Sequence, residues 1–452
     1  MATRLPGARY TSPMFRRCVI ALLLAICAAP AQDLAGRADE LVQAYVHQKR
    51  FQGSVLLAHE GKPLFRKSYG LANAEWGIAN TPDTKFRLGS ITKQFTSALI
   101  LQLVEHGKIG LQDSIRKYYP EAPEAWQPVT IHDLLCHESG IPSYTEIPGF
   151  FAKMAGEPRT PLEIIRLTQD KPLEFAPGTK YKYDNTGYII LGYVIEKVTG
   201  KTYEQQLHAA ILDPLGMKDT GFDSYTAILP HRAEGYNWHG ETLERAPYLD
   251  MTLPYAAGSL YSTVDDLSKW DQALYGTAVL SEASKQKMWT PNRNDYGYGW
   301  MIAKRYGTAA LEHGGGINGF NTMIVRLPEK KLLAVVLSNV NTNATGPIAT
   351  GLLAIALGQP VTMPQQHTPV PISAGELKPL EGRYANAVLA LTIRAEGDHL
   401  AAHPDGQGEM PFFGLTAKRF FNDAVGAELE FSPDASAVTV HQGGNDQVLK
   451  RQ

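Results

Sequence analysis

The chain has 452 residues, of which 44% are hydrophobic and 19% charged, and its formal net charge is −2. A chain of this length and composition can bury a large core and exceeds the usual size of one domain, so we expect two domains. The near-neutral charge excludes a strong electrostatic attraction to nucleic acid or to an anionic membrane surface, and a small-molecule or peptide substrate fits better.

The N-terminus has the pattern of a secretory signal peptide. Arg16 and Arg17 precede an apolar run from Cys18 to Ala29, and Ala29-Pro30-Ala31 has the small-residue spacing of a signal peptidase site. The run is well short of the roughly 20 residues that cross a bilayer, so no stable membrane insertion is expected. We predict a signal peptide over residues 1–31 and a secreted or periplasmic protein. The arginine pair also fits twin-arginine export, and Cys27 a lipid anchor.

Sequence patterns at the two ends of the segment 32–358 predict strands of one antiparallel sheet. Apolar residues recur at helical spacing from Arg37 to Gln48, and the strand patterns Ser54–His59 and Pro63–Tyr69 follow. Near the far end, Asn321–Leu327 and Leu332–Asn339 flank a second turn. Helical patterns lie between the two hairpins. We therefore predict an α+β domain in which helices flank an antiparallel sheet, and Cys136 is its lone cysteine, without a disulfide partner.

The C-terminal part predicts a separate all-β domain. Prolines recur between residues 359 and 373 and resist both helix and central strand, so we predict a linker there. Short alternating segments such as Leu389–Ile393 and Ala437–His441 follow, separated by Gly, Asp and Pro. This pattern favours a small β barrel over residues 374–452.

Ser90 and Lys93 begin a predicted helix that is apolar almost all round up to His106. Such a helix is typical of a protein core, and residues three apart share one of its faces. A serine hydroxyl needs a base to take its proton, and burial lowers the pKa of a lysine toward the range in which it can act as that base. The alternative for an isolated Ser-x-x-Lys pattern is a helix cap beside a surface lysine. Other motifs in the sequence must decide between a catalytic serine–lysine pair and a helix cap.

Two further patterns supply partners for this pair. Tyr183 and Asn185 form Tyr-x-Asn, in which a phenol can relay protons and an amide can hold a substrate carbonyl. The alternative is a loop tyrosine with a turn-forming asparagine. His313 precedes three glycines, and a glycine-rich strand edge can complete an oxyanion hole with the N–H of Ser90. The alternative there is a glycine-rich turn.

In this order, the three motifs resemble those of the serine β-lactamases and penicillin-binding proteins, especially the class C β-lactamase-like branch. Residues 129–142 and 257–267 also resemble stretches of that branch, and the resemblance spans about Leu41 to Leu353. It implies an all-helical subdomain beside the sheet, a lipocalin-like C-terminal domain, and acyl-enzyme chemistry without a cofactor or metal. It also implies that Ser90 is the nucleophile, Lys93 and Tyr183 are the acid/base pair, and Asn185 binds the substrate carbonyl.

The third motif departs from the family pattern. The resemblance implies that His313 lines the pocket and Gly316 donates the second oxyanion N–H, and Gly315 belongs to the substrate site because three consecutive glycines leave the register open. True β-lactamases and transpeptidases usually have lysine at the histidine's place, where its charge helps to bind the substrate carboxylate. A largely neutral histidine should bind that carboxylate more weakly. We therefore expect an esterase or D-amino-acid peptidase rather than a β-lactamase.

Other interpretations explain less. His132 and Cys136 could lie on one helical face for zinc, but a metal site needs more ligands. Glu312 beside His313 suggests a serine–histidine–acid triad, yet Lys93 supplies a base at better-defined spacing, and the absence of Gly-x-Ser-x-Gly excludes an α/β-hydrolase.

A penicillin-recognising protein that acylates slowly or not at all is the rival class, whereas a structural protein leaves the four polar positions unexplained. The loops 144–159 and 225–250 shape the pocket. The substrate, the oligomeric state and the role of the last domain stay open.

Overall fold

A computed structural model describes residues 33–239, 242–365, 367–386, 388–405, 409–423, 425–442 and 445–452. The predicted signal peptide lies outside these residues. Within them, no helix combines the length and the apolar character that crossing a membrane requires.

A six-stranded antiparallel sheet forms the centre of the larger domain. In spatial order its strands are Met301–Arg305, Thr308–Ile317, Phe320–Leu327, Leu332–Ser338, Gly53–His59 and Lys62–Tyr69. The first strand of the chain pairs with the last strand of this domain, with Gly53 opposite Ser338. The predicted sheet, assembled from both ends of the domain, is confirmed.

The two faces of the sheet belong to two hydrophobic cores, because successive side chains of a strand point to opposite faces. Val55 and Val336 belong to one core with the helices 33–47 and Thr345–Ala356. Leu56 and Val335 belong to the other core, which the remaining helices fill. Because both faces are covered, the strand Leu332–Ser338 is buried along its whole length and reads as a continuous apolar run.

The helices between the two hairpins form the region beside the second core. They are Thr92–Glu105, Ile131–Leu135, Phe150–Lys153, Pro161–Gln169, Asn185–Thr199, Tyr203–Leu207, Asp213–Leu215, Tyr255–Gly258, Val264–Ala273 and Glu282–Met288. Short strands join them, namely Leu71–Asn73 with Ile78–Ala79, Phe86–Arg87 with Leu260–Ser262 and Gly221–Phe222, and Tyr236–His239 with Thr242–Arg245. Capping boxes at Thr130 and Thr160 fix two of the helix starts by satisfying backbone N–H groups that have no partner inside the helix.

The C-terminal domain is a closed eight-stranded barrel, which confirms the predicted all-β fold. Its strands are Gly382–Ala385, Ala390–Glu396, His399–Pro404, Met410–Thr416, Arg419–Asn422, Ala427–Phe431, Ala437–Gln442 and Asn445–Arg451. The first strand pairs with the last through Tyr384 and Arg451, and this pairing closes the barrel. A short helix, Ala374–Leu377, precedes the barrel, and the described residues between 359 and 373 contain neither helix nor strand.

Candidate active site

Ser90 lies on a single 3-10 turn, Gly89–Ile91, that runs directly into the buried helix Thr92–Glu105. Gly89 has a φ of 56°, in the left-handed region that favours glycine. A Cβ on Gly89 would lie 2.9 Å from the backbone nitrogen of Gly316, so the turn touches the glycine strand there. The backbone at the nucleophile therefore needs glycine for both its conformation and its contact.

The strand Thr308–Ile317 carries the three glycines past this turn. The adjacent strand Met301–Arg305 pairs with it only as far as Glu312. Beyond Glu312, the turn at Ser90 lies beside the glycines in place of a strand. A Cβ on Gly315 would lie 1.9 Å from the carbonyl oxygen of Leu88, and Thr322 donates a hydrogen bond of 2.7 Å to that same oxygen. The predicted glycine strand is present, and it fixes the distance between the turn and the sheet.

We expect Gly315→Ala to destabilise the fold by about 2 kcal/mol or more, because its methyl group would overlap backbone atoms that cannot rotate away. Gly314→Ala is the matched control, since a Cβ there would lie 3.6 Å from its nearest neighbours, at ordinary contact distance. Thermal unfolding of both variants checks this. Equal melting temperatures for the two would contradict the close contact.

The Lys93 ammonium group is buried and has three polar neighbours. Its Nζ lies 3.1 Å from Ser90 Oγ, 2.9 Å from Asn185 Oδ1 and 2.9 Å from the carbonyl oxygen of Ala257. The amide oxygen and the carbonyl oxygen can only accept hydrogen bonds. When the amine is neutral, its two hydrogens therefore go to these oxygens, and its lone pair is left for the Ser90 hydroxyl proton.

Burial also shifts the charge state of this lysine. Removal from water lowers the pKa of Lys93 to about 7, although the negative charge of Asp184 opposes this. A substantial fraction of the lysine is thus neutral at neutral pH. Asp184 is itself buried, and burial raises the pKa of its carboxyl group to about 7.

Tyr183 reaches the same serine from another side. Its phenol donates a hydrogen bond of 2.8 Å to Ser90 Oγ, and its ring centre lies 4.8 Å from Lys93 Nζ. Burial raises the pKa of Tyr183 above its ordinary value, so the phenol keeps its proton at neutral pH. This group is placed to give a proton rather than to take one from Ser90.

Asn185 is the first residue of the helix Asn185–Thr199, which Asp184 caps by accepting a 2.7 Å hydrogen bond from the N–H of Gly187. The cap fixes the helix start and with it the side chain of Asn185. Because the Asn185 oxygen faces Lys93, its Nδ2 donates to Thr145 Oγ1 at 3.2 Å. The sequence motif Tyr-x-Asn thus places both side chains at Ser90 and Lys93.

His313 is buried beside the site, with its ring centre 6.4 Å from that of Tyr183. Its Nδ1 donates to the carbonyl of Gly314 at 2.6 Å, so its Nε2 accepts a hydrogen bond of 2.9 Å from the Tyr296 hydroxyl. Burial and the charge of Lys93 lower the pKa of His313 to about 4. The ring is therefore neutral at neutral pH.

The Beta-lactamase family profile matches residues 38–357, which is most of the chain. The chain belongs to the β-lactamase family. It is 28% identical to penicillin-binding protein 4* of Bacillus subtilis over 91% of this chain and 97% of that protein. It is 30% identical to a teichoic acid D-alanine hydrolase of Staphylococcus aureus over 55% of this chain and 58% of that protein. A D-stereospecific amidohydrolase from Streptomyces has a similar structure, with a TM-score of 0.59 and 27% identity over 68% of this chain and 94% of that one.

A cavity of about 390 Å³ opens at the serine of this β-lactamase-family chain. Ser90, Asn185 and Gly316 line it, whereas His313 and Gly315 are not among its lining residues in the described ranges. The rest of the wall is aromatic, aliphatic or amide in character: Gly89, Tyr144, Thr145, Phe150, Phe151, Leu249, Leu253, Pro254, Ala257, Gly258, Ile317, Asn318 and Asn341. Within the described part of the chain, the wall therefore contains no charged side chain.

Several residues of the site had no role in the sequence-based predictions. The carbonyl of Ala257 holds Lys93, and the ring of His137 packs on Tyr183 with 4.3 Å between ring centres. Tyr296 fixes the ring of His313. The first two belong to stretches that resemble the family, so the sequence marks them without giving them a function. No pattern marks Tyr296.

The alternative sites from the sequence do not form in the described residues. Glu312 pairs with Arg305 at 2.8 Å, so it does not orient His313 in a catalytic triad. The described ranges contain no group of three or more possible metal ligands, and His132 instead bonds the Tyr298 hydroxyl at 2.7 Å.

We expect acylation of Ser90 to speed up as the pH rises, to reach half of its maximal rate at about pH 7 and to level off above that pH. The pKa of Lys93 is lowered to about 7, so the amine that accepts the serine proton loses its own proton in this range. The measurement is the second-order rate of labelling by a fluorophosphonate at roughly pH 5 to 10. A rate that rises only toward the ordinary lysine pKa would mean that burial does not lower the pKa of Lys93, whereas a rate independent of pH in this range would contradict Lys93 as the base.

Proposed function

We propose that this chain is an exported serine hydrolase that forms an acyl ester on Ser90 and then transfers the acyl group to water. The observation that carries the proposal is the 3.1 Å contact between the Ser90 hydroxyl and an amine whose other two partners can only accept hydrogen bonds. A base that is held in this way activates a serine that is otherwise a poor nucleophile. Export depends on the predicted signal peptide alone.

In the first step, Lys93 takes the Ser90 hydroxyl proton while Oγ attacks the substrate carbonyl carbon. The backbone N–H groups of Ser90 and Gly316 stabilise the negative charge that develops on the carbonyl oxygen. Tyr183 gives its proton to the departing oxygen or nitrogen as the bond to the carbonyl carbon breaks, and Lys93 returns a proton to Tyr183. An alcohol or amine leaves, and the acyl ester on Ser90 stays.

In the second step, water replaces the leaving group. Lys93 takes a proton from the water as its oxygen attacks the ester carbonyl, and the same two N–H groups stabilise the oxyanion. The bond to Ser90 Oγ then breaks, and Oγ receives the proton. An acid is released, and the free enzyme is restored.

The lining of the cavity favours esters or amides without a carboxylate near the reactive bond over β-lactams as substrates. A β-lactam carries a carboxylate near its reactive bond, but the described wall has no cation and His313 is neutral. Two relatives support the same choice, because the name of one includes D-alanine hydrolase and that of the other D-stereospecific amidohydrolase. We therefore place esterase or D-amino-acid peptidase activity before β-lactamase activity.

The test combines intact-mass spectrometry after fluorophosphonate treatment with turnover assays on nitrophenyl esters, nitrocefin and the nitroanilides of D-alanine and L-alanine. We expect one adduct that Ser90→Ala abolishes, and turnover of the ester and the D-anilide in preference to nitrocefin and the L-anilide. Ser90→Ala is the matched control for adventitious hydrolysis.

Each alternative has its own outcome. A protein that takes no adduct and turns over no substrate would contradict the hydrolase and favour the penicillin-recognising binding protein. Nitrocefin turnover that exceeds turnover of the ester and the D-anilide would instead support a β-lactamase and overturn the argument from the uncharged wall.

A further inference from the structure

A second cavity of about 200 Å³ adjoins the active-site cavity, and Asn318 belongs to the wall of both. Asn318 follows Gly316 by two residues, at the turn after the strand, so the two lie roughly 7 Å apart at most along the chain. On the other side, Arg87 precedes Ser90 by three residues, which is roughly 10 Å at most along the chain. A substrate that extends beyond one amino-acid unit from Ser90 can therefore reach this second cavity.

Two arginines in its wall share one buried carboxylate. Arg87 Nε lies 2.6 Å from Asp223 Oδ2, and Arg232 Nη1 lies 3.0 Å from Asp223 Oδ1. The Asp223 side chain is 1% exposed, whereas the arginine side chains are 17% and 26% exposed. Two guanidinium groups therefore face one carboxylate, and the group of three carries a net positive charge.

The arginines also keep donors for another ligand. Among the residues that the structure describes, Arg87 uses only Nε in hydrogen bonds, and Arg232 uses only Nη1, which also approaches the carbonyl of Ser224 at 3.5 Å. Within the described ranges, the other guanidinium nitrogens have no hydrogen-bond acceptor in the protein, and the Arg87 guanidinium carbon lies 5.9 Å from the centre of the Phe320 ring. Half-buried cations of this kind favour an oxyanion, because charge-assisted hydrogen bonds to carboxylate or phosphate are about twice as strong as neutral ones.

Two further charged side chains line the described wall, Arg245 and Glu234. Arg245 binds Glu75 at 2.6 Å, and Glu234 lies close enough to Arg245 to raise its pKa. Asp250, which follows the wall residue Tyr248 by two positions, accepts hydrogen bonds from Tyr248 and from the backbone and side chain of Thr252. The group of Arg87, Arg232 and Asp223 therefore carries the positive charge of this cavity, whereas Arg245 with Glu75 and Glu234 does not.

We propose that this second cavity is a subsite for an oxyanion, a carboxylate or a phosphate, which the substrate carries beyond the bond that is cut. Its outer edge has two exposed aromatic rings, Tyr225 and Tyr248, whose centres are 5.6 Å apart. The proposal rests on the proposed hydrolase activity and refines it: the reacting group enters an uncharged cavity, and the charge is recognised beside it.

The test uses three D-alanine esters that differ only at the far end of the leaving alcohol: pentanediol, hydroxypentanoate and hydroxypentyl phosphate. We expect wild-type kcat/KM to be roughly tenfold higher for the charged esters than for the neutral ester, and this preference to fall as salt is added. The ratio of phosphate to carboxylate ester identifies which oxyanion the subsite prefers.

Arg232→Gln should reduce the ratio of kcat/KM for the charged esters to kcat/KM for the neutral ester toward one. Arg232→Lys should keep part of the wild-type ratio. Arg232 is the better position to change, since Asp223 keeps its bond to Arg87. Arg245→Gln is the matched control and should keep the wild-type preference, because its guanidinium is already paired with Glu75. Equal kcat/KM for all three esters in the wild type, or the same loss in Arg245→Gln, would overturn the subsite.

Binding to the Ser90→Ala protein separates the subsite from the chemistry. Calorimetry should give a roughly tenfold lower Kd for the phosphate or carboxylate ester than for the neutral ester, and Arg232→Gln in the same background should remove the difference. Selective binding without wild-type turnover would contradict the hydrolase and leave the subsite standing. Equal binding of the three esters would overturn the subsite even if all are hydrolysed.

Discussion

Lys93→Met should slow acylation of Ser90 by roughly 10⁴-fold, the upper range for loss of a positioned general base. Methionine has a similar length and fits an apolar slot, but it cannot accept a proton from Ser90 or donate to Asn185 Oδ1 and the carbonyl of Ala257. The measurement is the second-order rate of fluorophosphonate labelling, followed by intact mass. The melting temperature shows whether the variant is folded.

Lys285→Met is the matched control for this loss. Lys285 is also buried, with a side chain that is 2% exposed, and its ammonium group donates to the carbonyls of Leu274 and Gly276. The control should change stability but should label at close to the wild-type rate. If Lys93→Met labels as fast as Lys285→Met, Lys93 is not the base.

Tyr183→Phe should lower kcat/KM by roughly 10²-fold for amides and by less for nitrophenyl esters. The phenol donates to Ser90 Oγ at 2.8 Å and keeps its proton, because burial raises its pKa. An amine leaving group needs this proton, whereas nitrophenolate leaves without one. The ratio of amide to ester turnover therefore reports whether Tyr183 is the acid.

Tyr188→Phe is the comparison for this ratio. The ring centre of Tyr188 also lies 5.3 Å from Lys93 Nζ, but its hydroxyl bonds Ser97 and the carbonyl of Leu135 rather than Ser90. It should change amide and ester turnover by the same factor. A Tyr183→Phe variant with an unchanged ratio would assign the proton transfer to another group.

The parts of the site that are predictable from sequence are those set by local spacing. Ser90 and Lys93 are one helical turn apart, and Tyr183 and Asn185 flank a helix cap, so each pair follows from its own segment. The hairpins at both ends of the sheet were predictable for the same reason, because alternation and turn residues mark them. The family resemblance then predicted that these segments meet.

The remaining parts depend on contacts between distant segments. The Ala257 carbonyl accepts a hydrogen bond from Lys93, which is 164 positions away. Because every residue has a backbone carbonyl, the residue type does not indicate which one contacts Lys93. The family resemblance predicts His313 in the pocket wall, but no spacing in the sequence indicates that the Tyr296 hydroxyl bonds its ring. Phe150 and Phe151 lie in the short helix Phe150–Lys153, whose position no periodic pattern specifies, although residues 144–159 were predicted to shape the pocket.

The pairing of Gly53 with Ser338 also determines when activity can arise during folding. Nearly the whole larger domain lies between these two positions, so its central sheet has a high contact order and its closure is expected to be slow. A nascent chain presents Ser90 early, but the strand that carries Gly316 is synthesised more than two hundred residues later. A truncated or stalled chain would thus hold the nucleophile without its oxyanion-stabilising strand, and it would be inert until synthesis of the domain is complete.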